Sequence, residues 1–354
     1  MESYFSEKLS SVLFLEINKN KLMTLFNVFL EENIYMPLKS NKLIDEIKTG
    51  NNLNEISINN FLEGMFYVLG IDGEFKYNHI YLDMLISFNG SISFVKNLVF
   101  NEIKKENYED AYIFIKGLVN VEKNEENYEK LISIAEILRE KDKGFTNEEL
   151  DTIAKAKELE NFPAPYLYEA LINKDKGDFE AALFLINTYI SKGGKQTSEI
   201  TEFLHSLRNI VNYEEGKNML YEDTDKALKL LIPLMDEYSD NASLFYNIAV
   251  GYRILENYEK AIYYLNEAIE IDDALVEVIN ELGINYASLG DFDKAILYLR
   301  KAFEATKSVE ICTNLIMCYL DAGNIEQATN HLEIAKKLDS KDEIVIKLAA
   351  LLDK

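Results

Sequence analysis

Three histidines, two cysteines and one glycine-lysine segment are the obvious places in this chain of 354 residues where chemistry could reside. His79, His205 and His331 each stand more than a hundred residues apart. None falls in a His-Glu-x-x-His or Cys-x-x-His pattern, so no metal ligand set is written in the sequence. Cys312 and Cys318 lie six apart on one predicted helix and so point to different faces, which reads as reduced thiols in a cytoplasmic protein. KGGKQTS, from Lys192 to Ser198, approaches a phosphate-cradling loop. However, Gln196 follows Gly194-Lys195, and Tyr189 stands where the earlier glycine is required. No Gly-x-Ser-x-Gly occurs, and LGIDGEF, from Leu69 to Phe75, lacks the carboxylate ladder of a calcium loop. Carboxylates are so frequent that any pair of them reads as solvated surface rather than as general acid and base. The expectation is a non-enzymatic protein with no catalytic residue, no metal and no cofactor.

What the sequence does carry is a period. ENYEKA, LGDFDKA and AGNIEQA close on Ala261, Ala295 and Ala328, in steps of about 34 residues, and a fainter copy, YEDTDKA, closes on Ala227, one such step earlier. In the first of these copies Phe245, Ile248, Ala249 and Tyr252 share one face of a predicted helix, and Ala261, Leu265 and Ala268 share one face of a second. Ile279, Leu282, Gly283 and Tyr286 with Ala295, Leu299 and Ala302 repeat the pattern; so do Cys312, Leu315, Ile316 and Tyr319 with Ala328, Leu332 and Ala335. The small residues Ala249, Gly283, Ala261, Ala295 and Ala328 allow the two helices of each hairpin to approach closely. A period of this length with paired helices means a stacked solenoid.

These copies, with the turn Gly290-Asp291-Phe292, resemble the tetratricopeptide repeat. The resemblance implies an all-α, right-handed helical-hairpin solenoid. Residues 241–354 would form three regular repeats plus a C-terminal capping helix, and 91–240 degenerate repeats, signalled by ENYEDA ending at Ala111 and KGDFEAA ending at Ala182. Two further amphipathic stretches, Tyr128 to Glu140 and Asn147 to Leu159, could supply one more hairpin; breaks are expected at Asn161 to Pro165 and Ser191 to Ser198, and a kink or early helix start at Pro233. Residues 1–90 show no repeat. The spacing of Leu22, Leu25, Phe26 and Phe29, and of Phe61, Met65, Phe66 and Leu69, predicts an α-helical N-terminal domain with turns at Thr49 to Asn52 and at Asp72-Gly73. Little two-residue alternation is present, so a β-sheet domain is not expected.

The resemblance also locates a binding surface. First helices of stacked repeats line a concave groove, which places Tyr246, Asn247, Val250 and Arg253 there, then Glu277, Asn280 and Ile284, then Glu310, Thr313, Asn314 and Met317. Amides that both donate and accept suit an extended peptide. Chaperone-binding members of the family grip a terminal carboxylate with lysines, asparagines and an arginine. The matching positions here hold Tyr246, Val250, Glu281, Glu310 and Asn314, which makes that ligand class a poor fit.

Composition sets the outer limits. With 61 acidic against 37 basic residues the formal charge is −24, which disfavours nucleic acid and anionic membrane and favours basic or neutral partners, besides keeping the chain soluble. No apolar run reaches the ~18 residues of a membrane span, and MESYFSEK has no basic leader. The absence of tryptophan, with abundant Asn, Ile, Lys and Tyr, points weakly to a bacterial source. The expectation is a cytoplasmic adaptor or scaffold that binds another protein or peptide. The alternatives are an intracellular receptor for a short signalling peptide and an enzyme with an unrecognised N-terminal domain. In the C-terminal helix, Ile344, Leu348, Leu351 and Leu352 would form the inward stripe; Val345, Ile346 and Ala349 would extend it, making this helix a candidate surface for a homodimer.

Overall fold

The computed structural model describes residues 5–40 and 57–352, so the turn expected at Thr49 to Asn52 lies outside the described residues. The described residues are mostly paired α-helices, and the chain divides into two compact units, Met1–Leu204 and His205–Lys354. Neither expected boundary, at 90 or at 240, coincides with that division. No helix among the described residues is long and apolar enough to cross a membrane.

The first unit begins with a feature the sequence did not announce. A 3-10 turn, Ser6–Ser11, leads into β1 (Val12–Ile17), then α1 (Lys19–Phe26) and β2 (Ile34–Lys39). The two strands pair antiparallel, with Val12 opposite Lys39 and Ile17 opposite Ile34. Pro37 is tolerated because a two-stranded sheet is all edge, and a residue without an N–H can face away from the ladder. Leu22 and Phe26 are buried as the helical spacing requires, but the chain leaves α1 at Asn27 in a left-handed conformation. That exit leaves Phe29 outside the helix and exposed.

The strand pair rests on α2 (Ile58–Ile71), which continues through α3 (Asn78–Ser87), α4 (Ser91–Lys104) and α5 (Tyr108–Val121). Every residue of α2 from Phe61 to Ile71 is buried, as befits a helix with elements packed on several sides. Glycine makes this possible. A Cβ on Gly70 would collide with the carbonyl of Ile113, and one on Gly117 with that of Phe66, so α2 and α5 touch backbone to backbone. Asp110 on α5 then fastens the strands: Lys8 and Tyr67 donate to its Oδ1 at 2.9 and 3.0 Å, and Lys39 to its Oδ2 at 2.7 Å. Two more helical pairs follow. These are α6 (Glu125–Lys141) with α7 (Thr146–Ala156), the pair predicted between Tyr128 and Leu159, and then α8 (Ala164–Asp175) with α9 (Phe179–Ser191).

The second unit opens inside α10 (Ser198–Met219) and continues with α11 (Thr224–Leu231), which passes into a 3-10 turn, Ile232–Asp236, at Pro233. Then come the three hairpins: α12 (Ala242–Ile254) with α13 (Tyr258–Ile271), α14 (Val276–Ser288) with α15 (Phe292–Thr306), and α16 (Val309–Asp321) with α17 (Ile325–Leu338). Ala227, Ala261, Ala295 and Ala328 are all fully buried, as are Leu265, Ala268, Leu282, Ala302 and Leu315. Gly283 has no room for a side chain, since a Cβ would lie 2.5 Å from Leu299 Cγ.

Each hairpin is bent by the same two-residue device. A residue with left-handed backbone, Glu256, Gly290 or Gly323, ends the first helix. The next residue, Asn257, Asp291 or Asn324, gives its N–H to the carbonyl of Tyr252, Tyr286 or Tyr319 at 2.8–2.9 Å. Its side chain then accepts from the backbone of the second helix, at Lys260, Lys294 or Gln327. One residue thus closes one helix and caps the next. Gly177 with Asp178 repeats the device in the first unit, and Glu106 with Asn107 repeats its backbone half.

The last helix, α18 (Glu343–Leu352), starts one repeat period after α16. Val345 and Leu348 are buried while Ile344, Ile346 and Leu351 are exposed. This corrects the expected stripe: the N-cap, Asp342, accepts from the N–H groups of Ile344 and Val345 and sets the helix so that Val345, not Ile344, faces the preceding hairpin.

Candidate functional site

The first helices α12, α14 and α16 stand next to one another, and once their Phe, Ile and Leu residues are consumed in the core, what remains forms a polar and aromatic face. Packing decides which of the expected residues belong to it. Tyr246 is half-buried, and burial, helped by the nearby Glu281 carboxylate, pushes its phenol pKa up to about 12. Glu277 and Glu310 are exposed; Asn280, Ile284 and Asn314 are half-buried; Met317 is exposed. These seven positions all keep some exposure to solvent.

Three expected residues do not reach it. Val250 is buried among Leu228, Leu231 and Ile248 of the core. Thr313 is buried, and its hydroxyl donates to the Glu310 carbonyl at 2.7 Å. Asn247 is buried and donates to the hydroxyl of Tyr213 at 3.2 Å. Position within the repeat does not separate these cases. Ile284 and Met317 lie one and two periods beyond Val250, yet only Val250 meets a leucine-rich neighbour, α11.

Arg253 is on the face but already engaged. Its Nε donates to Glu281 Oε1, joining one repeat to the next. Glu281 is buried; its pKa is raised by burial, with Arg253 pulling the other way. Asn285, fully buried, donates to the Glu281 carbonyl at 2.8 Å and lies 3.4 Å from Oε1. The amide oxygens of Asn280 and Asn285 are buried with no hydrogen-bond partner.

Two features were missed. A recess of about 180 Å³ is lined by Asn209, Ile210, Tyr213, Tyr238, Asn241 and Leu244. Asn209 bonds there to Glu237 at 2.6 Å. The signal was present, because Tyr213, Asn247 and Glu281 stand one period apart, which puts Tyr213 on the first helix of the fainter copy that closes on Ala227. The second feature is a tyrosine ladder. Tyr252 stacks on Tyr264 with ring centroids 5.4 Å apart, and Tyr286 on Tyr298 at 5.6 Å; Lys260 and Lys294 lie over the same rings, Tyr252 and Tyr286. Both cysteines are buried and free, and burial raises each thiol pKa to about 11.

The sequence profile of the tetratricopeptide repeat matches residues 240–308 and again 286–352. Residues 240–352 are tetratricopeptide repeats. No curated protein sequence matches the chain. Solved structures are similar to parts of this chain at low identity. MamA is 18% identical over 51% of this chain and 92% of its own, with a TM-score of 0.38. YrrB, described as a TPR protein with an unusual peptide-binding site, is 18% identical over 56% of this chain and 97% of its own, with a TM-score of 0.41. The first TPR of Spaghetti (RPAP3), bound to an HSP90 peptide, is 19% identical over 33% of this chain and 94% of its own, with a TM-score of 0.32.

Proposed function

We propose that the protein is a non-enzymatic, cytoplasmic adaptor that holds a peptide or helix of another protein in the groove formed by the first helices of its tetratricopeptide repeats. The observation that supports this is the make-up of that face. Tyr246, Ile284 and Met317 supply apolar contact, Asn280 and Asn314 supply amides, and Arg253, Glu277 and Glu310 supply charge, all on parallel helices one period apart. Repeat stacks offer such extended surfaces for partners, and an amide can pair with both groups of a peptide backbone. Asn247, Val250 and Thr313 support the groove from behind rather than touching the partner.

The test is capture of the partner from native lysate by the intact chain and by variants. Tyr246→Ala, Asn280→Ala and Asn314→Ala are expected each to weaken capture with helicity unchanged, by roughly 1–2 kcal/mol for the tyrosine. Leu297→Ala, on the exposed side of a second helix, is expected to leave it intact. Equal capture by all four would move the site away from the first helices.

A further inference from the structure

The recess has the size and lining of a site for one ring. Its walls come from α10 (Asn209, Ile210, Tyr213), from the turn before α12 (Tyr238, Asn241) and from α12 itself (Leu244), all within the second unit. At about 180 Å³ it is slightly larger than the apolar cavity of about 150 Å³ that takes up benzene, so one six-membered ring with a small substituent fills it. Leu244, fully buried, and Ile210, half-buried, supply aliphatic surface; the half-buried Tyr213 and Tyr238 supply aromatic surface, against which a ring gains more than burial alone. One wall is polar and fixed. Asn209 is only 7% exposed, and its Nδ2 donates to Glu237 Oε2 at 2.6 Å. A carboxylate only accepts, so the other end of that amide is the oxygen. This Oδ1 accepts no hydrogen bond among the described residues, and it is not closed to solvent as the amide oxygens of Asn280 and Asn285 are. Tyr213 is held in its turn by Asn247, which donates to its hydroxyl at 3.2 Å.

We propose that this recess is a binding site for one tyrosine side chain of a partner peptide. The ring packs among Ile210, Tyr213, Tyr238 and Leu244, and its hydroxyl donates to Asn209 Oδ1. The competing side chains each leave something unmet. An aliphatic one gives the tyrosines no ring contact and Asn209 no donor, and a phenylalanine supplies the ring alone. A lysine or arginine finds no carboxylate in the lining, because Glu237 stands behind Asn209 and is also approached by His205 Nδ1 at 3.2 Å. The proposal rests on the reading of the chain as a peptide-binding adaptor, but on none of the groove residues of α12, α14 and α16 named for it.

Selection of a displayed random dodecapeptide library on the intact chain tests this, with the same selection on Ile210→Trp, which fills the recess, on Asn209→Leu, which removes its acceptor, and on the groove variant Tyr246→Ala. Helical circular dichroism verifies each variant. The unmodified chain is expected to enrich tyrosine at one register, about fivefold over its frequency in the library and about threefold over phenylalanine. Ile210→Trp is expected to abolish the enrichment, and Asn209→Leu to level tyrosine with phenylalanine. On the unmodified chain, which needs no variant to fold, free N-acetyl-tyrosine amide is expected to displace the selected peptides and N-acetyl-leucine amide to leave them bound. Tyrosine enrichment that persists in Ile210→Trp, or peptides that the tyrosine amide does not displace, would overturn the site. Peptides lost with Tyr246→Ala but without a tyrosine register would overturn the recess and leave the groove reading standing. No enriched peptide at all would overturn both.

Discussion

Glu149, on α7, keeps a carboxyl in the interior of the first unit with no hydrogen bond to either oxygen. Arg139, also buried, comes within 2.8 Å of it but directs its hydrogen bonds to Glu136 and Asp175. Burial, with Glu136 adding to it and Arg139 opposing, pushes the Glu149 pKa up to about 9. A carboxyl raised this way holds its proton more tightly when folded. Its contribution to stability is therefore complete below the unfolded value of about 4.3 and is lost as pH rises toward 9. Stability of the first unit is expected to fall across that window, by at most about 1.4 kcal/mol per pH unit. Glu149→Gln, which imitates the protonated form, is expected to flatten the fall. Urea denaturation at several pH values between 5 and 9 measures this, and equal slopes in both proteins would mean that Glu149 is ionised in the fold.

The repeat turns are where individual elements can be tuned. Glu256 takes the left-handed conformation that Gly290 and Gly323 take in the next two hairpins, and a side chain there strains against its own backbone. Glu256→Gly is expected to stabilise the second unit by about 1 kcal/mol and Gly290→Ala to destabilise it by a similar amount, read as opposite shifts of the thermal midpoint. Two midpoints moving the same way would refute the equivalence of the turns. These hairpins were legible in the sequence because a buried alanine, a capping Asn or Asp and a fixed period all act within a few residues. The strand pair was not. VLFLEI is a mostly apolar run without clear alternation, and Val12–Ile17 finds its partner, Ile34–Lys39, only across the intervening α1, with a proline in the second strand. Of the candidate surface, period alone singles out Tyr246, Asn280 and Asn314, which keep some exposure, while burial of Val250 and Thr313 depends on which neighbour each helix meets, and that is set by tertiary packing.

For the molecule as a whole, the excess of acid and the exposed end of the stack pull in opposite directions. A charge of −24 opposes association of like copies, and it also implies that capture of a basic partner weakens as salt screens it. Ile346 and Leu351 are exposed on α18, together with Ile344, which keeps a homodimer through this helix as a proposal. Val345 is unsuited to the test because it is buried. Ile346→Lys is the informative change: light scattering over a concentration series is expected to show a dimer for the native chain and a monomer for the variant. A native chain that is monomeric at every concentration would eliminate the pairing.

The stacked tyrosines also carry an optical consequence. The chain has 22 tyrosines and no tryptophan, so its near-ultraviolet signal is dominated by tyrosine, and parallel rings held 5.4 and 5.6 Å apart couple electronically in a way that isolated rings do not. The first two C-terminal hairpins each contain such a pair, whereas in the third the ring opposite Tyr319 is His331. Fraying from the C-terminal end would therefore lower the far-ultraviolet helical signal before it dims the coupled tyrosine band. The lag between the two spectra on heating would report how far unravelling had travelled along the stack without any label being attached.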